Sequence, residues 1–185
     1  MIRYIDELDK ADLQGKKVLL RLDLNVPVVE GKVADDFDLQ KVIPTIDFLR
    51  EHEAQVVILA HIEDSAGENT TLLPVADYLR GYFPLGFSPT FFDAEAVDKL
   101  LNLKDKEVLL FENVRNNLGE KENDKEFAKK LSQMADIYVN DAFGVSHRKH
   151  ASIIGVPEFL PHYGGLLMRQ EIEHLSKVFS PSHPF

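Results

Sequence analysis

The chain has 185 residues, with 21 Lys and Arg against 31 Asp and Glu, a formal charge of −10 at pH 7. So acidic a balance opposes non-specific binding to nucleic acid or to an anionic membrane, and the absence of cysteine excludes disulfides, thiol nucleophiles and cysteine-based metal centres. Hydrophobic residues at 44% and charged residues at 28% are ordinary for a globular chain of one large domain or two very small ones. The opening MIRYIDELDK lacks the apolar stretch of a signal peptide. The aliphatic run VVILA at 56–60 is too short to span a bilayer, and a cytoplasmic protein is expected.

In chain order, short apolar runs alternate with helical patterns. A first strand is expected at Val18–Leu24. A helix follows with Leu39, Val42, Ile43, Ile46 and Leu49 at 3.6-residue spacing, kinked by Pro44. A second strand is expected at Gln55–Ala60, then a helix over 72–83 carrying Leu72, Val75, Ala76 and Leu79. A weaker strand is expected at Pro89–Phe92, followed by a helix capped by Asp93 with Ala96, Val97, Leu100 and Leu101 on its apolar side. Glu107–Phe111 reads as a strand. Asn123 and Glu126 form a capping-box-like start to a helix that turns Phe127, Leu131 and Met134 inward. Ile137–Val139 is the last strand, and an amphipathic helix from about Leu166 to Phe179 ends in SPSHPF. Unbroken apolar strands suit a sheet covered on both faces, and the β-α alternation predicts an α/β domain with a parallel sheet.

In such sheets ligands bind outside the carboxyl ends of the strands. Polar residues gather there: Asp23 and Asn25 after the first strand, His61 after the second, Glu112, Asn113 and Arg115 after Glu107–Phe111, then Asn140 and Asp141, with His147, Arg148 and His150 in the next loop. Each also has a plainer reading. Asp23 and Asn25 could turn the chain before Pro27, and Asn140 and Asp141 could form an Asx-turn or a helix cap. His61 could be a satisfied core histidine, Arg115 could pair with Glu112, and SHRKH at 146–150 could be a solvated loop. As a set, these side chains suit a small oxygen-rich anion. There is no GxGxxG, GxxxxGK[ST], HExxH or GxSxG pattern, so dinucleotide, P-loop, zinc and serine-hydrolase chemistry are not signalled. Gly164–Gly165 before the last helix could cradle an anion.

RLDLNVP at 21–27, FENVRNNLGEKEND at 111–124, YVNDAFGVSHRKHAS at 138–152 and the closing GLLMRQEIEHLSKVFSPSHPF resemble phosphoglycerate kinase, in that family's order and spacing. The likeness covers essentially the whole chain but only the N-terminal half of such a kinase. It implies a Rossmann-like three-layer fold, a parallel sheet with helices on both faces, over 1–180, with 181–185 opening an interdomain hinge. The family's Mg-ATP or Mg-ADP site would then belong to a C-terminal domain absent from this chain, so no cofactor or metal is expected here. That domain, or a second copy of the chain, is the expected macromolecular partner.

The resemblance also implies site residues. Asp23 and Asn25 match the family's pair for the carboxylate and hydroxyl of 3-phosphoglycerate, and His61 matches its cleft histidine. Arg115 and Arg148 match two substrate-binding arginines, and Arg21 matches a structural arginine. Two positions depart with inverted charge: Asp38 stands where the family carries its most directly catalytic arginine, and Asp64 where it carries another, with Glu63 in place of a glycine. RNN at 115–117 departs less, standing where the family has an aromatic and a histidine after the arginine. An arginine on a transferring phosphoryl group is worth about 10³–10⁵ in rate, and unit charges about 5 Å apart at an effective dielectric of ~20 interact by roughly 3 kcal/mol. The expectation is therefore a retained scaffold, weak binding of a 3-phosphoglycerate-like anion and no activity from this chain alone. The alternative is a pseudoenzyme or binding module that uses the same cleft for another ligand or partner.

Overall fold

The computed structural model describes residues 2–64, 66–68 and 70–179, so the expected hinge at 181–185 lies outside the described residues. In chain order the main elements are α1 (Lys10–Leu13), β1 (Lys17–Arg21), the hairpin β2 (Val28–Val29) and β3 (Lys32–Val33), α2 (Phe37–Glu51), β4 (Gln55–Leu59), α3 (Leu73–Leu79), β5 (Leu85–Ser88), α4 (Ala94–Leu101), β6 (Val108–Phe111), α5 (Leu118–Lys121), α6 (Lys125–Ser132), β7 (Ile137–Asn140), β8 (His162–Gly164) and α7 (Leu166–Phe179).

Six strands form one parallel sheet in the order β5-β6-β4-β1-β7-β8. The side chains of β1 alternate between its faces. Val18 and Leu20 join Val56, Ile58, Val108, Leu110 and Val139 under α2, α3 and α7. Leu19 joins Val57, Leu59, Leu109 and Tyr138 under Ala96 of α4 and Phe127, Ala128 and Leu131 of α6. Both faces are therefore covered, which is why the strands read as unbroken apolar runs rather than alternating ones. Each Leu, Ile or Val buried this way contributes about 1.5–3 kcal/mol relative to exposure.

The register aligns the strand exits. Arg21 of β1 lies beside Leu59 of β4 on one side and Asn140 of β7 on the other. β1 leads through α2 to β4, while β7 leads the opposite way to β8. The crevice between the β1 and β7 exits is thus a topological switch point, where open α/β sheets bind ligands.

Several local expectations shift. The fifth strand is Leu85–Ser88 rather than Pro89–Phe92; Ser88 Oγ instead donates to the Thr90 carbonyl at 2.8 Å, turning the chain toward α4. The cap of α6 is Asp124, whose carboxylate accepts the Phe127 N–H at 2.7 Å. Asn123 sits before it at φ 52°, a left-handed turn position that Asn tolerates. Pro44, exposed and inside α2, does not break the helix, in keeping with the expectation. On α4 only Ala96 is buried, and Val97 and Leu101 stay at the surface. β8 and the two-residue strands of the hairpin are too short to carry a periodic signal.

Candidate functional site

At the switch point lies a cleft of about 290 Å³ lined by Asp23 and Asn25 from the β1 exit, Asp38 and Lys41 from α2, Asp141, Phe143 and Gly144 from the β7 exit, and Leu167 and Glu171 from α7. A second hollow of about 440 Å³ shares Asn25 and continues along Val26, Pro27, Ile62, Glu63, Asp64 and Thr70. Four carboxylates line the first hollow against one ammonium, and that ammonium is engaged: Lys41 Nζ lies 3.0 Å from Asp38 Oδ1.

The β1 exit carries the site's polar pair. Asp23 is partly buried, and loss of solvent pushes its carboxyl above the ordinary range despite the nearby Arg21 guanidinium. Asn25 uses its side-chain oxygen to accept the Glu63 N–H at 2.9 Å, so it fixes the loop after β4. His61, at the β4 exit, is buried, with Nδ1 3.9 Å from Asp23 Oδ1. Burial first, then the Arg21 and Arg115 guanidiniums, push its imidazole down to about 2, so it is neutral.

Arg115 follows β6 in a short 3₁₀ turn whose backbone is held by Asn113. Its Nη1 lies 2.6 Å from Glu63 Oε1, with side-chain exposures of 6% for Arg115 and 26% for Glu63, so the carboxylate is the more exposed member of the pair. Lys121 Nζ is 3.9 Å from the same oxygen. Arg115 therefore pairs with Glu63, not with Glu112. Glu112 instead accepts the Leu72 N–H at 2.8 Å and the Thr71 hydroxyl at 2.6 Å, capping the start of α3. Asn113 Nδ2 donates to the carbonyls of Ile62 and Thr70, closing the loop between them.

Asp64 is exposed, and its Oδ1 accepts the N–H groups of Ala66 and Glu68, each at 2.9 Å. Its carboxylate is thus engaged by its own loop, and the negative charge that reaches an arginine belongs to Glu63. Arg148 is exposed, in the loop with His147 and Lys149, and its charge is felt at His61.

Asn140 and Asp141 take the plainer reading. Asn140 Oδ1 accepts the Ala142 N–H at 3.0 Å in an Asx-turn. Asp141 accepts the Thr45 hydroxyl at 2.5 Å and the Met168 N–H at 2.7 Å, tying α2 to the first turn of α7. A Cβ on Gly165 would meet Asp141 at 2.2 Å. The anion at this helix start is therefore the protein's own carboxylate, not a ligand cradled by Gly164–Gly165. Burial raises the Asp141 carboxyl to about 6.

Sequence reasoning missed Glu120, Ser152 and Glu171. Glu120 and Ser152 are buried polar residues, joined across 32 positions, and no local pattern marks such a pair. Glu171 is one of several acidic residues on an amphipathic helix, and nothing in its spacing sets it apart.

The phosphoglycerate kinase family profile matches residues 8–185. The phosphoglycerate kinase of Borreliella afzelii is 42% identical over 177 residues, covering 92% of this chain and 45% of that protein. That of Pseudothermotoga lettingae is 41% identical over 181 residues, covering 94% and 46%. The structure of the Coxiella burnetii enzyme superposes with a TM-score of 0.83 at 33% identity, over 96% of this chain and 45% of that one. The Pyrococcus horikoshii enzyme gives 0.84 at 32% identity, over 100% and 47%. The chain spans about half the length of the relatives it matches, and over that span sequence and fold agree: it belongs to the phosphoglycerate kinase family.

Proposed function

We propose that this chain is the substrate-binding half of a phosphoglycerate kinase-like protein whose cleft has largely lost its affinity for 3-phosphoglycerate, and that the chain by itself transfers no phosphoryl group. The observation that carries the reading is the Glu63 carboxylate 2.6 Å from Arg115 Nη1, the carboxylate being the more exposed of the two. A phosphate or carboxylate arriving at Arg115 meets an anion already beside it. Asp38, where the resemblance implies an arginine, joins Asp23, Asp141 and Glu171 in the lining of the neighbouring hollow. Phosphoryl transfer depends on positioning and on positive charge at the moving group, and here that charge is inverted or internally neutralised.

The resemblance assigns the Mg-nucleotide to the family's other domain. Among the described residues no cluster of three or more His, Asp or Glu side chains is arranged to hold a metal ion. The acidic lining also favours a second reading, a binding module for a cationic or zwitterionic ligand in the same cleft.

Titration calorimetry with 3-phosphoglycerate tests the proposal on the chain and on its Asp38→Arg, Glu63→Gly, Asp64→Arg triple variant. The chain should give no saturable micromolar binding, and the variant should recover it. Micromolar binding by the unmodified chain would overturn the reading.

A further inference from the structure

Behind the cleft, four segments distant in sequence meet in a buried polar chain. Glu120 on α5 is fully buried, and both of its oxygens are taken by Ser152: the hydroxyl donates to Oε1 at 2.6 Å and the N–H to Oε2 at 2.8 Å. The same hydroxyl oxygen accepts the Nε–H of Arg21 at 2.9 Å. Arg21 is itself fully buried; Nη1 donates to the Leu22 carbonyl, and Nη2 lies 3.2 Å from His61 Nδ1.

Hydrogen-bond chemistry gives this chain one direction. A guanidinium only donates, so at His61 Nδ1 the imidazole must accept. A neutral imidazole that accepts at Nδ1 carries its proton on Nε2. At the other end, Ser152 has a single hydroxyl hydrogen. Glu120 takes it, which leaves the serine lone pairs for Arg21. A serine hydroxyl turned the other way would face the Arg21 Nε–H with a hydrogen and deprive Glu120 Oε1 of its hydroxyl donor.

We propose that Glu120 and Ser152, acting through Arg21, are positioning residues that lock His61 in its Nε2–H form, so that the ring beside Asp23 holds a fixed donor at Nε2 and a blocked acceptor at Nδ1. The charged and titratable groups facing His61 are Arg21, Arg115, Arg148 and His150 on the positive side, with Asp23 on the negative. The positive groups oppose protonation, and the Arg21 bond blocks Nδ1, so the ring serves neither as a cation nor as a base at that nitrogen. The lock is built from β1, the β4 exit, α5 and the turn at Ala151–Gly155. It stands whether or not the cleft retains affinity for 3-phosphoglycerate, so the two proposals fail separately.

Long-range ¹H–¹⁵N correlation spectra of the full chain, labelled at histidine, read the ring directly. His61 should show the Nε2–H tautomer alone, unchanged over about pH 5–8, where an ordinary histidine titrates. In Ser152→Ala the guanidinium loses its Nε acceptor and is drawn toward Glu120. The ring should then show mixed tautomers, or titrate, and Ser152→Thr, which keeps the hydroxyl, should restore the single form. Should Ser152→Ala fail to fold, Glu120→Gln, which keeps the shape without the charge, is read in the same spectra and should also give a mixture. A wild-type ring protonated on Nδ1 or titrating near its usual value overturns the proposal, as does a ring unchanged in the variant that folds.

Discussion

Replacing Glu63 by Gln removes one negative charge next to Arg115 while keeping the side chain's size. The backbone N–H of Glu63, through which Asn25 holds the loop, is untouched. An incoming phosphate at Arg115 would lie about 5 Å from the carboxylate, a repulsion of roughly 3 kcal/mol per unit charge at an effective dielectric of ~20. Glu63 is 26% exposed in its side chain, so solvent screening should reduce this by about half. The remaining ~1.5 kcal/mol corresponds to about tenfold in affinity per unit of ligand charge. We therefore expect Glu63→Gln to tighten 3-phosphoglycerate binding at least tenfold by calorimetry at low salt, with the gain shrinking as salt is raised. Unchanged or weaker binding in a folded Glu63→Gln protein would refute the claim that this carboxylate closes the arginine to anions.

The same logic separates neighbouring residues. Asp64→Asn should leave 3-phosphoglycerate binding within about twofold of wild type in the same assay, because the Asp64 carboxylate is already held by the Ala66 and Glu68 amides. For Asp141, burial raises the folded-state carboxyl from an ordinary 3.8 to about 6. The folded state then binds the extra proton between those values, so the residue's contribution to stability falls as pH rises from about 4 to 6, by up to about 3 kcal/mol. Asp141→Asn can still accept from Met168 and donate to Thr45, so its stability relative to wild type in urea melts should rise over that window and level off above it. A constant difference across pH would contradict the assignment. Asp124→Ala removes the α6 cap and should cost about 1 kcal/mol, seen as a fall of roughly 2–4 °C in Tm for a domain of this size.

The central strands were legible because burial on both faces leaves an unbroken apolar run, as in Gln55–Leu59 with four of its five residues buried. The α/β architecture followed from their alternation with helical patterns. The Leu85–Ser88 strand was obscured by its glycine and short length, and the true α6 cap by two adjacent residues, Asn123 and Asp124, that both suit helix starts. In the site, the polar residues at the strand exits were visible, since the switch-point rule says where to look. Their partners were not. Glu63 beside Arg115 and Asp141 beneath α7 depend on how loops far apart in sequence fold back on one another, and neither spacing nor composition encodes that. Charge inversion at Asp38 and Asp64 could be read from the resemblance, yet only the geometry separates a carboxylate held by its own loop from one that reaches an arginine.

The most direct measurement is a crystal of the chain soaked in 3-phosphoglycerate. The Glu63–Arg115 pair should stay intact, with no ordered phosphoglycerate against Asp23, Asn25 and His61. Glu63 swung away, with the ligand's anionic groups seated between Arg115 and Arg148, would contradict it.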